Sequence, residues 1–188
     1  MKNMRQAIID LGGEFYFNYK VIDVKSNYLK AISNGVEYEF SSPYIILGIG
    51  HSAKDTYEML YKNGFLLEPK AFSMGARIEH LQININNIQY GFNSNIHDAA
   101  SYKAAVHLPT RDVYTFCMCP GGYVVASSSS KNTIVTNGMS YEARDGVNAN
   151  SALLVNVRVE DFHLNSPLDG LYFQEKIEKA GGKVIVLD

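Results

Sequence analysis

The sequence has no tryptophan, and only two cysteines and five prolines among 188 residues. Two cysteines separated by one residue make no disulfide framework, and a reducing cytoplasm suits them. No apolar run approaches the roughly 18 residues of a membrane span, and no basic segment with an apolar core opens the chain. Neither a span nor a signal peptide is expected. Positive and negative side chains nearly cancel, 17 against 19 for a net charge of -2. That balance gives no electrostatic basis for binding nucleic acid or an anionic membrane. What remains is 46% hydrophobic and 19% charged, the make-up of a globular protein with enough chain for one large domain or two small ones. The absent tryptophan, with 13 tyrosines and abundant asparagine, reads as AT-rich bacterial coding.

The chain is organised around Tyr44-Ile45-Ile46-Leu47-Gly48-Ile49-Gly50-His51-Ser52-Ala53. An apolar, β-forming run leads in, and Lys54–Asn63 follows with Thr56, Met59 and Leu60 at helical spacing, so the pattern predicts strand, glycine turn and helix. Glycines let a backbone approach a ligand closely, and the first N–H groups of a helix suit a phosphate or a polarised carbonyl. Gly48, Gly50, His51, Ser52 and Ala53 are therefore candidate cofactor contacts.

Upstream, apolar spacing predicts a helix over Met4–Leu11 that stops at Gly12-Gly13. Strands are expected at Glu14–Phe17 and Tyr19–Lys25, then a hairpin of Tyr28–Ser33 and Val36–Phe40 about Asn34-Gly35. After Glu68-Pro69 the texture changes to antiparallel strands: Ala71–His80, Tyr102–Leu108, Val113–Cys119, Tyr123–Ser127 returning from the Gly121-Gly122 turn, Thr133–Asn137 and Ser151–Phe162. Residues 81–101 read as irregular or partly helical. Pro167–Ala180 reads as a helix ended by Gly181-Gly182, and Lys183–Leu187 as a last strand. The expected domains are 1–67, 68–166 and a closing helix and strand over 167–188 that returns to the first. Both chain ends read as cuts through a larger architecture, because an all-apolar strand such as Tyr44–Leu47 expects neighbours on both sides.

Taken alone, Gly48 to Ala53 matches G-x-G-x-x-G/A, with Glu68 about 20 residues on and Phe65–Glu68 as a second strand, so a dinucleotide-binding unit opening at Tyr44 is one reading. A tight turn without a ligand is another. A longer series of words points elsewhere. Gly-Gly-Glu-Phe-Tyr-Phe after a helix, Gly48-Ile49-Gly50-His51-Ser52-Ala53-Lys54-Asp55-Thr56, Phe72 to His80, Val113 to Gly122, Val135 to Ser140 and Asn148 to Val155 occur in order. Together they resemble the bacterial FAD-dependent dehydrogenase-like proteins, flavoproteins with two dinucleotide-binding-type parts, over roughly residues 5–178.

The resemblance implies an internal piece of such a flavoprotein. Residues 1–67 would be the remainder of an FAD-binding domain, and the rest a mostly β substrate or cap domain, giving a fold class of α/β plus antiparallel β. The turn that holds the FAD pyrophosphate would precede Met1, and a closing FAD segment would follow Asp188. Gly48 to Ala53 would then press on the cofactor without forming its main phosphate cradle.

Cys117-Met118-Cys119-Pro120 offers two thiols which, in a regular strand, face the same way. They read as a redox pair or a thiol beside the flavin, as metal ligands with His107, or as two small core residues. His51 reads as a hydrogen-bonding group for a flavin edge or substrate, or as a solvent-facing residue at a helix start. Arg77 and Glu79 share a strand face and read as an ion pair, or as an anion-binding Arg with a general-base Glu. Arg144, Arg111 and the Asn148/Asn150 pair are candidates for contacting an acidic substrate. His80 shares the Arg77-Ile78-Glu79-His80 block, while His97, His107 and His163 carry no local context of their own.

The functional expectation is a fragment of a cytoplasmic FAD-dependent oxidoreductase, with Cys117, Cys119 and His51 near the chemistry and Arg77, Glu79 and Arg144 on the substrate. The expected partners are a small-molecule substrate, neither nucleic acid nor membrane, and a second copy of the chain covering exposed apolar faces. The alternative is a non-catalytic, β-rich ligand- or protein-binding module derived from a flavoprotein scaffold.

Overall fold

A computed structural model describes residues 2–92, 98–128, 130–162 and 165–181. The expected strand Lys183–Leu187, His97 and His163 lie outside the described residues. The chain divides into two compact units, 1–67 and 68–188.

The first unit runs α1 (Lys2–Asp10), β1 (Lys20–Val24), β2 (Tyr28–Ser33), β3 (Val36–Ser41) and α2 (Lys54–Lys62). Its three strands form one antiparallel sheet in sequence order. α1 stops because Gly12 takes φ +86°, which lets Gly12 and Gly13 N–H donate to the Ile9 and Ile8 carbonyls. Asn34 and Gly35 both take positive φ, 50° and 79°, the mirror-image turn whose twist matches that of the flanking strands. α2 is fastened to β1 through Asn63, whose amide donates to Asp23 Oδ1 at 2.6 Å and to the Val24 carbonyl at 3.0 Å. Leu60, Val24 and Ala31 are buried in this unit.

Three expected strands are absent among the described residues. Glu14–Phe17 has no ladder partner among the described residues and is held instead by rings. Phe15 and Phe17 stack at 6.1 Å with the Arg5 guanidinium over both, and Tyr16 meets Phe40 edge-on at 4.9 Å. Tyr44–Leu47 likewise forms no ladder, and Tyr44 is 86% and Ile46 96% exposed. Phe65–Glu68 is not a strand either, so the dinucleotide unit that would open at Tyr44 lacks both its strands. β-propensity describes fitness for a pleated surface, and a strand exists only when a neighbour accepts its backbone hydrogen bonds.

The second unit runs β4 (Phe72–Leu81), α3 (Gln82–Tyr90), β5 (Ala105–His107), β6 (Asp112–Cys119), β7 (Gly122–Ala126), β8 (Thr136–Ser140), β9 (Asn148–Val157), a short 3-10 turn (Val159–Asp161) and α4 (Asp169–Ala180). Strands β4-β9-β6-β5 make one antiparallel sheet, and β7-β8 a separate two-stranded ribbon. β4 and β9 pair from Phe72↔Val157 to Leu81↔Asn148. Their backbones lie so close at Gly75 that an added Cβ would stand 1.8 Å from the Leu153 carbonyl oxygen. The Gly121-Gly122 turn does not return β6 on itself as its sequence suggests. Gly121, at φ +56°, packs against the Arg144 backbone, and β7 pairs with β8 instead. Asn148 and Asn150 stand inside β9 and not in a loop. Among the described residues no helix is long and apolar enough to cross a membrane.

The end of β9 is secured by Arg111. Its guanidinium grips Asp161 with two hydrogen bonds of 2.5 Å and donates to the Asn156 carbonyl at 2.9 Å. The Arg111 fork, then the Arg158 N–H, hold the Asp161 carboxyl well below the usual carboxylate range. A depressed folded-state pKa contributes stability that is complete above the unfolded value, ~3.9, and is lost as pH falls below it. Asp161→Asn is therefore expected to flatten the acid limb of the thermal unfolding midpoint against pH. An acid limb as steep in the variant as in the parent would remove Asp161 from that role.

Candidate functional site

Cys117 sits at a fault in the sheet. β6 pairs regularly with β9 up to Phe116↔Ala152, and the next pair is Cys119↔Asn150. Three residues thus span the distance of two, a β-bulge. The extra residue is absorbed by Cys117, whose φ of +47° is a left-handed conformation that L-residues seldom adopt. The regular alternation that would point both thiols one way is broken here, which corrects the expectation from the Cys-x-Cys spacing. Cys117 is exposed, Cys119 half-buried, and both are free.

Arg77 holds the bulge from β4. Its Nη1 donates to the Cys117 carbonyl at 3.1 Å and to Asn150 Oδ1 at 2.6 Å. Asn150 is completely buried. The Cys119 thiol reaches the Cys117 carbonyl at 3.4 Å. Gly138 of β8 overlies the group. An added Cβ there would stand 2.2 Å from Asn150 Oδ1, 2.3 Å from Arg77 Nη1 and 2.7 Å from Cys119 Sγ.

The Arg77–Glu79 ion pair does not form. Both Glu79 oxygens are taken, one accepting from Val124 N–H and the other from the Asn148 amide, each at 2.6 Å. Glu79 therefore joins the ribbon to the sheet and is poorly placed to accept a substrate proton. Arg144 stands apart, exposed, at φ +52° in the turn that packs on Gly121.

Beside Cys117 is a cleft of about 260 Å³ lined by Tyr102, Lys103, Thr115, Phe116, Cys117 and Met118. The Tyr102 hydroxyl pairs with His80 Nε2 at 2.8 Å, and burial pushes its pKa up. His107 is engaged elsewhere, its Nδ1 lying 2.7 Å from Asp112. No group of three His, Cys, Asp or Glu side chains fit to hold a metal occurs among the described residues.

In the first unit, Gly50 takes φ +69°, and open space surrounds the Cβ positions of both Gly48 and Gly50. Ala53 begins α2 without a side-chain cap. Tyr57 donates to the Gly50 carbonyl at 3.2 Å, and His51 Nε2 lies 3.4 Å from Ser52 Oγ. The turn thus presents bare backbone next to an uncapped helix start, which fits one edge of a nucleotide cofactor such as FAD.

Sequence reasoning singled out Arg77 and the two cysteines, and the structure brings them together. It underrated Asn150 and passed over Gly138, Tyr102 and Lys103. The alternation Asn148-Ala149-Asn150-Ser151-Ala152 held the missing signal for Asn150, a period-two pattern that places its amide on the same face as Asn148.

A family model described as "FAD-dependent protein, C-terminal domain-like" matches residues 71–185. An uncharacterised protein of Clostridium beijerinckii is 47% identical over 192 residues, covering 98% of this chain and 36% of that protein. The chain therefore spans little more than a third of the length of the curated relative it matches. With most of the second unit matched by the family model, the chain belongs to the FAD-dependent protein family through its C-terminal-domain-like part.

Proposed function

We propose that this chain serves a cytoplasmic FAD-dependent oxidoreductase acting on a small molecule. In this reading residues 1–67 are part of the FAD-binding domain, and 68–188 supply the substrate-side groups. The observation that carries the proposal is family membership through the second unit. The open Gly48–Ala53 turn supports it. When bound, FAD would accept or donate the hydride, and the protein contributes orientation and electrostatics.

Gly48, Gly50, Ser52 and Ala53 would offer backbone to the cofactor, and His51 a ring nitrogen. In the second unit Arg77 supplies a fixed positive charge. Cys117 supplies an exposed thiol, and Arg77 anchors the backbone carbonyl of the same residue. Glu79 holds the ribbon in place, and Arg144 offers an exposed cation.

The test is spectroscopic. The chain and the longer Clostridium beijerinckii relative are purified, soaked in FAD, dialysed and scanned. The relative is expected to keep a flavin band. A relative that stays colourless and takes up no FAD overturns the proposal.

A further inference from the structure

The β7–β8 ribbon, β4 and β9 bring the half-exposed Arg77 guanidinium against a buried amide whose nitrogen has no acceptor. Arg77 spends Nη1 on the Cys117 carbonyl and Asn150 Oδ1. Its Nη2 and Nε find no acceptor, and no carboxylate pairs with it, among the described residues. Arginine is donor-only, so the amide of Asn150 must present its oxygen, and not its nitrogen, to Arg77 Nη1. That nitrogen, Asn150 Nδ2, is buried with no hydrogen-bond partner, on a residue with 0% exposure. Buried N–H groups in folded proteins are almost always satisfied, and a guanidinium without a counter-charge attracts an anion. Gly138 completes the arrangement, since any side chain there would occupy the place where Arg77, Asn150 and Cys119 meet.

We propose that Arg77 and Asn150 form a subsite for the carboxylate group of a small acidic molecule. The planar guanidinium offers its remaining N–H groups to the two carboxylate oxygens, and Asn150 Nδ2 supplies a further donor once the β7–β8 ribbon that covers it lifts. Glu79, the nearest acidic side chain on β4, does not compete, because Val124 and Asn148 occupy its oxygens. That this carboxylate belongs to the substrate of a flavin reaction rests on the proposed function. The subsite itself does not.

The test is thermal unfolding of the chain without FAD, in acetate and in succinate, against chloride at equal ionic strength. At a hundredfold excess over Kd, mass action is expected to raise the unfolding midpoint by about 5 °C or more. Asn150→Asp, which places a carboxylate on Arg77 within the same outline, is expected to lose the shift. Arg77→Gln should lose it as well, while both variants still unfold cooperatively. No carboxylate-specific shift in the parent chain, as for a site that holds only water, overturns the subsite. So does a shift that survives in cooperatively folding Asn150→Asp. Because FAD is absent throughout, failure here leaves the flavin proposal standing, and failure of flavin uptake leaves this result unaffected.

Discussion

Gly75→Ala is expected to abolish the folded second unit. The methyl group would stand 1.8 Å from the Leu153 carbonyl oxygen and 2.8 Å from its carbon. A Cβ has no rotamer by which to escape, and the obstacle is backbone, so β4 and β9 must part where their ten-residue ladder is continuous. Ordinary overpacking costs ~1–3 kcal/mol. A clash with a ladder carbonyl exceeds that, against a total stability of only about 5–15 kcal/mol for a typical domain. Circular dichroism and limited proteolysis would report the loss. Gly48→Ala is the control, because nothing lies within 4 Å of its added Cβ. A Gly75→Ala protein that melts with the parent would mean that the two strands do not approach as described.

Phe162→Ala should produce the second large loss. Phe162 is 5% exposed and stacks on Phe72 at 6.1 Å. It also meets Phe173 of α4 at 6.2 Å, and Gly170 lies against its ring edge. The three rings tie β4, the segment after the 3-10 turn, and α4 together. Truncating a buried phenylalanine costs about 3–5 kcal/mol because the cavity closes only partly. The unfolding midpoint is therefore expected to fall by on the order of 10 °C. Phe162→Leu should recover part of the loss. A drop of only a degree or two for the alanine variant would contradict a core built on these rings.

How much of this was legible depended on how local each signal is. Asn34-Gly35 announced its turn because both residues tolerate positive φ, and β2 then has the expected bounds, Tyr28–Ser33. The alternation in Phe72–Glu79 announced β4, and the spacing of Thr56, Met59 and Leu60 announced α2. Glu14–Phe17 and Tyr44–Leu47 have equally good strand composition, yet neither has a partner among the described residues. Pairing is decided by distant segments and leaves no mark within the strand itself. The candidate site divides in the same way. Arg77, Cys117 and Cys119 stood out as residue types. The bulge that reorients Cys117 comes from the register between β6 and β9, which six residues of local sequence cannot specify. The Arg77–Glu79 pair looked plausible on spacing alone and was displaced by partners from β7 and β9.

The β7–β8 ribbon shares no rung with the four-stranded sheet. Side chains fasten it: Glu79 to the Val124 N–H, and the Ser140 hydroxyl donating to the Pro120 carbonyl. A segment attached in this way can lift off while every ladder of the main sheet stays closed, so its opening costs less than global unfolding. Gly138 rides on that segment above Asn150, and lifting the ribbon is thus the motion that uncovers the buried amide. A ligand that needs the amide binds only the open fraction of molecules, and its apparent affinity is scaled by that fraction. Substitutions that clamp the ribbon more firmly would then trade affinity for stability.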